Sequence, residues 1–68
     1  MNAQVQELAK IIDRTDAAIM FADIEDGYSI GKACQYLTTR RYKREDFVAF
    51  RTRHGDEVTT SCIAEMAS

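Results

Sequence analysis

Apolar residues first recur at Val5, Leu8, Ile12 and Ile19, with Ile11 widening the stripe, while Gln6, Lys10, Asp13 and Arg14 take other faces. Spacings of three, four and seven are the period of an amphipathic α-helix. The favoured reading is a single long first helix running through Phe21 to about Glu25. The alternative breaks it at Arg14-Thr15-Asp16, where Thr15 caps a new start. Asp26-Gly27 ends the helix on either reading, because glycine readily takes the left-handed conformation past a helix C-terminus. Ser29 then offers an N-cap for a second helix through Leu37, with Ile30, Ala33 and Leu37 on one stripe and Tyr36 beside it. Thr38 and Thr39 weaken helix propensity and mark its end.

Beyond Lys43 the residues Phe47, Phe50 and His54 share a helical face, and Arg51-Thr52-Arg53-His54-Gly55 reads as a helix stop. Cations in a last turn complement the partial negative charge of a helix C-terminus, and glycine follows them. Asp56 can cap a final helix in which Val58, Cys62 and Met66 recur every four residues. A competing reading takes 47–53 and 58–64 as a hairpin turning at 54–57, supported by Val58, Thr59, Thr60 and Ile63. The run Phe47-Val48-Ala49-Phe50 alternates poorly, so helix is favoured. The expected fold is all-α, one helical domain of three to four helices over residues 1–68, with an α+β fold carrying a C-terminal hairpin as the alternative.

The chain has 68 residues, and a domain of that size hides only roughly 60% of its unfolded surface. A single core this small rarely supplies more than about 3–5 kcal/mol, so disulfides, metals or partner subunits usually assist. Cys34 and Cys62 allow one internal bridge at most, with nothing to bring them into range. His54 is the lone histidine, and it forms no CxxC or HxxxH pair with the thiols. No metal and no cofactor are therefore expected. By elimination the expected remedy is a homodimer, for which a long amphipathic first helix is a natural element. A charged n-region followed by an apolar h-region is missing, and the longest apolar run, Ala17–Ala22, is far short of the ~20 residues of a membrane span. A soluble cytoplasmic protein with reduced thiols and no membrane partner is expected. Zero prolines, three glycines and 46% apolar residues argue for a folded chain.

Charge sharpens the picture. Seven of the nine Lys and Arg residues (Lys32, Arg40, Arg41, Lys43, Arg44, Arg51 and Arg53) lie between positions 32 and 53, against only Glu45 and Asp46, a net of +5. The rest of the chain holds two cations against nine acids, a net of −7. Such polarity suits contact with a charged partner better than turnover of a small molecule. Its densest part is Arg40-Arg41-Tyr42-Lys43-Arg44, expected at a helix terminus or turn and hence exposed. Tyr36 and Tyr42 flank or join it, and Tyr with Arg dominates binding hot spots. The candidate partner-binding residues are Tyr36, Arg40, Arg41, Tyr42, Lys43 and Arg44.

Other constellations fail on their spacing. Ser29–Leu37 resembles the opening of a helix-turn-helix with Ala33 at the helix contact. The small residue expected four later is Leu37, and Lys43 and Asp46 stand where apolar residues belong. A sequence pI near 5.2 is also low for a nucleic-acid domain, so DNA binding through the same cations is the second reading. Placing Gly27 at an EF-hand turn puts Ala22, Ile24 and Ala33 at ligand positions, which rules out that loop. Cys34 or Cys62 with His54 is the one conceivable nucleophile–base pair. Both thiols sit on or beside apolar stripes as small hydrophobes, and there is no glycine-rich phosphate loop. No catalytic residues are assigned.

The amphipathic opening Val5–Ile12 and the segment Tyr36–Arg44 resemble the small anti-activator proteins of Mu-like Pseudomonas phages. Proteins of that group bind a quorum-sensing transcription activator and, in some cases, a pilus motor ATPase. The resemblance implies a helical homodimer without cofactor that binds and inhibits a host protein by contact, acting in the host cytoplasm.

Overall fold

In a computed structural model, described here for residues 2–36 and 44–68, the chain is all-α. Its elements are α1 (Ala3–Ala9), α2 (Arg14–Glu25), α3 (Ile30–Ala33) continued by a 3-10 turn (Cys34–Tyr36), α4 (Arg44–His54) and α5 (Asp56–Ala67). The hairpin reading of the last third is overturned: 44–54 and 56–67 are helices, and among the described residues there is no strand. No helix of the described residues is long and apolar enough to cross a membrane.

The first helix is two helices, not the one expected. The Asn2 side chain caps α1 by accepting from the Val5 N–H at 2.8 Å, and the chain tightens at its end, where Ile11 N–H bonds Leu8 O at 2.8 Å. Asp13 then caps α2, its carboxylate accepting from the Asp16 N–H at 2.9 Å. The cap falls two residues earlier than the Thr15 alternative placed it, and the break resets the helical phase. Val5, Leu8 and Ile12 remain on one buried stripe, but α2 buries Ala17 and Met20, leaving Ile19 49% exposed. Ile19 is thus off the stripe that its spacing suggested.

Gly27 stops α2 as expected. Its φ is +101°, Gly27 N–H bonds Ile24 O at 3.0 Å and Tyr28 N–H bonds Asp23 O at 3.1 Å. This is the Schellman pair of hydrogen bonds. Ser29 caps α3 by accepting from Lys32 N–H at 3.1 Å. The α-helix lasts only to Ala33, not Leu37, and passes into the 3-10 turn; the threonine stop at Thr38-Thr39 lies outside the described residues.

Gly55 alone joins α4 to α5, with φ +86°. The N-cap of α5 is therefore Gly55 and not Asp56, whose carboxylate is engaged instead by the Arg51 guanidinium, Nε to Oδ1 at 2.5 Å and Nη2 to Oδ2 at 3.1 Å. Packing centres on α5, which lies against α1, α2 and α4, while α2 also packs on α3. Its inner face is Thr59, Cys62 and Ile63, whereas Val58 of the expected stripe is exposed. Thr59 is fully buried with its hydroxyl satisfied, donating to the Gly55 carbonyl at 2.7 Å. Phe47 and Phe50 of α4 and Val5 and Leu8 of α1 complete the core with Ile12, Met20 and Ile30.

Both positive-φ glycines stand in open space, with nothing within 4 Å of an added Cβ, so the cost of a side chain there is purely conformational. Gly27→Ala and Gly55→Ala should each destabilise by about 1–2 kcal/mol, lowering the thermal midpoint by roughly 4–8 °C per kcal/mol for a domain of this size. Thermal unfolding followed by circular dichroism checks this.

Candidate protein-binding surface

The sequence-predicted site is only partly placed. Arg40, Arg41, Tyr42 and Lys43 lie outside the described residues, Tyr36 ends the 3-10 turn, and Arg44 is the exposed first residue of α4. The basic run therefore leads directly into a helix whose opposite sides differ. Phe47 and Phe50 turn inward and are fully buried. Arg44, Val48 and Thr52, spaced four apart, are exposed along the outer side. Val48 is 44% exposed, an apolar side chain one turn beyond Arg44. Sequence reading did not single it out, because the four-residue apolar run 47–50 conceals which members face outward; its signal was the spacing of four from Arg44. Glu45 and Asp46 occupy the first turn, where acids suit the positive helix end.

Among the described residues, two of the clustered cations are paired within the fold. Arg53 Nη1 donates to Glu7 Oε1 at 2.8 Å, and Arg51 is held by Asp56. Arg51 also lies on α3: a Cβ at Gly31 would come within 3.2 Å of its Nη1. The polarity of the chain is thus reduced around Arg51 and Arg53 by acids from outside the window and persists at Arg44 and Lys32, both exposed. Asp46 is exposed while Phe47 and Phe50 are buried, so the helix-turn-helix register, which would turn Asp46 inward, is not the one adopted.

His54 closes α4 in a setting that is structural. Its ring lies 4.5 Å from that of Phe50 at a 51° tilt, and Nε2 is 2.7 Å from Glu7 Oε2. It is half-buried. The bond with His54, followed by the Arg53 charge, holds the Glu7 carboxyl below its ordinary range. Arg51 does the same for Asp56.

The thiols behave as apolar groups. Cys34 donates to the Gly31 carbonyl at 3.1 Å, and both cysteines are buried and free. Burial pushes the Cys62 thiol up, with Glu65 and Glu7 adding to the effect, so it stays protonated and poorly nucleophilic at neutral pH. Among the described residues no group of three or more His, Cys, Asp or Glu side chains is arranged to hold a metal ion. A shallow groove of about 320 Å³ between the start of α1 and α5 is lined by Asn2, Glu57, Val58, Ser61, Cys62 and Glu65. Compared with protein-family models, curated proteins and solved structures, the chain matches none of them.

Because Glu7 and Asp56 titrate lower in the folded chain than in the unfolded one, their pairs stabilise fully above the unfolded carboxylate values near pH ~4. That contribution is lost as pH falls through the folded values. Urea midpoints should therefore drop below about pH 4. The Glu7→Gln/Asp56→Asn variant should be less stable than wild type at pH 7 and converge on it at pH 2–3, measured by urea titration at each pH.

Proposed function

We propose that this protein is a non-enzymatic regulator that binds a host protein through Tyr36 and Arg40–Arg44 and inhibits it by contact. Following the family that its Val5–Ile12 and Tyr36–Arg44 segments resemble, the target is a transcription activator of the quorum-sensing kind, met in the host cytoplasm. The regulator acts as a homodimer, which doubles the basic patch, and it requires no cofactor.

One observation carries this reading: α4 continues the basic run into an exposed face that sets Arg44 beside half-exposed Val48. A cation next to an apolar side chain suits a protein pocket, where a desolvated apolar contact supplies affinity and the charges supply orientation and encounter rate. A phosphate backbone would use the cations and leave Val48 without a role. Exposed Glu45 and Asp46, immediately after the run, would repel phosphates. They weigh against the second reading, a helix-turn-helix-like DNA-binding regulator.

The test is affinity capture from a bacterial lysate, comparing wild type with Arg40→Ala/Arg41→Ala/Tyr42→Ala and with Val48→Asp. Both variants should lose at least about tenfold in capture of the wild-type partner, as hot-spot truncations do. With that partner purified, affinity should change by less than about tenfold between 50 and 200 mM salt, against roughly 10³–10⁵ for a protein making 6–10 phosphate contacts. Capture unaffected by the triple substitution removes the assignment, and a phosphate-like salt slope replaces it with DNA binding.

A further inference from the structure

The longest apolar run of the chain, Ala17–Ala22, passes around every side of α2, yet the fold uses only one of them. Asp16, Ala17 and Met20 are buried and Phe21 is partly covered. Ala18, Ile19 and Ala22 are exposed, with Ile19 the most exposed large apolar side chain among the described residues. A helix that is apolar on both sides is the pattern of one buried on both sides, so the outer side of α2 has the composition of a covered surface.

The ends of that outer side say what covers it. Arg14, exposed, opens the helix; Glu25 and Asp26, exposed, close it, and the last turn holds no basic residue. Acids at a C-terminus oppose the helix dipole and favour a cation brought from elsewhere. A second α2 laid antiparallel across the first, with the two-fold axis level with residue 20, sets Ala18 opposite the partner's Ala22. It also brings Arg14 opposite the partner's Asp26, with Glu25 beside it, at both ends of a stretch about 18 Å long. Such an interface is self-complementary, as a two-fold dimer requires. The small Ala18 and Ala22 permit the near end of the 8–10 Å range of helix separations, and Ile19 flanks the contact. A parallel pair would instead bring Arg14 to Arg14 and the acids together.

We infer that the outer face of α2 is the homodimer contact, formed by antiparallel α2–α2 packing over Ala18, Ile19 and Ala22 and closed by Arg14 against Glu25 and Asp26 of the second copy. This deepens the dimeric part of the proposed function and rests on it. One helix pair is small beside the roughly 1,200–2,000 Å² of stable interfaces, so association is expected in the micromolar range.

Sedimentation equilibrium from about 1 to 100 µM tests it, with circular dichroism to confirm folding. Wild type should pass from monomer to dimer over that range, and Ile19→Glu/Ala22→Glu, altering side chains exposed in the monomer, should stay monomeric at full helicity. Arg14→Glu should weaken the dimer about tenfold, and adding Glu25→Lys/Asp26→Lys should restore it. Restoration separates the intermolecular pair from the bond that Arg14 Nη2 also donates to the Ser68 carbonyl at 2.9 Å. A wild-type monomer at 100 µM overturns this interface and the dimeric reading together. A wild-type dimer that survives Ile19→Glu/Ala22→Glu, or is not restored by the charge exchange, overturns the interface alone. Loss of partner capture by Ile19→Glu/Ala22→Glu from a monomeric wild type gives the face to a different protein and overturns it as well.

Discussion

The fold depends on burying one side of α5. Helices α1, α2 and α4 all rest on it, and its buried positions are a threonine, a cysteine and Ile63, with Met66 partly buried beside them. A core so lean tolerates little waste. Thr59 can occupy its centre only because its hydroxyl reaches the Gly55 carbonyl, since an unsatisfied buried hydroxyl would cost on the order of 1–3 kcal/mol. That carbonyl is in position because the one-residue joint at Gly55 takes a positive φ. The Cys62 thiol, kept protonated by burial, fills its place as a small hydrophobe. Joint, threonine and thiol form one dependency, and the aromatic residues of α4 are delivered to the core through it.

Charge is distributed differently in space than along the chain. Glu7 and Asp56 come from the acidic portions and settle on Arg53 and Arg51 of the basic window. These pairs are exposed, so each adds little stability. Their larger effect is to relocate charge. What remains unneutralised in the described structure is displaced toward the N-terminal end of α4 and α3, where Arg44 and Lys32 stand exposed. The acids at the end of α2 are left as a separate region of opposite sign.

Helix class and helix ends were largely legible from residues alone, because the signals there are local. Glycine at 27 and 55 and Ser29 at a cap act within a few residues of themselves. The break between α1 and α2 was hidden by an accident of spacing: Val5, Leu8 and Ile12 stay on one buried stripe across it, and Ile19 falls seven residues later as though the period continued. The carboxylate of Asp13 outcompeted Thr15 for the cap, as aspartate commonly does. Partnerships between distant residues were not legible. Glu7 and His54 are 47 positions apart, and nothing in either neighbourhood announces the other. For the site, the exposure of Arg44 followed from its place at a helix start, while Val48 needed the phase of α4 to be known before it could be separated from its buried neighbours.

Gly31 and Arg51 together carry a consequence for what position 31 can hold. The guanidinium of Arg51 lies where a side chain at 31 would otherwise project, and Asp56 holds it there. The guanidinium thus fills the space beside α3, and a side chain at 31 would have to displace it from Asp56. A cation that the charge pattern grouped with the candidate binding residues is thus occupied inside the fold, between Gly31 of α3 and Asp56 of α5.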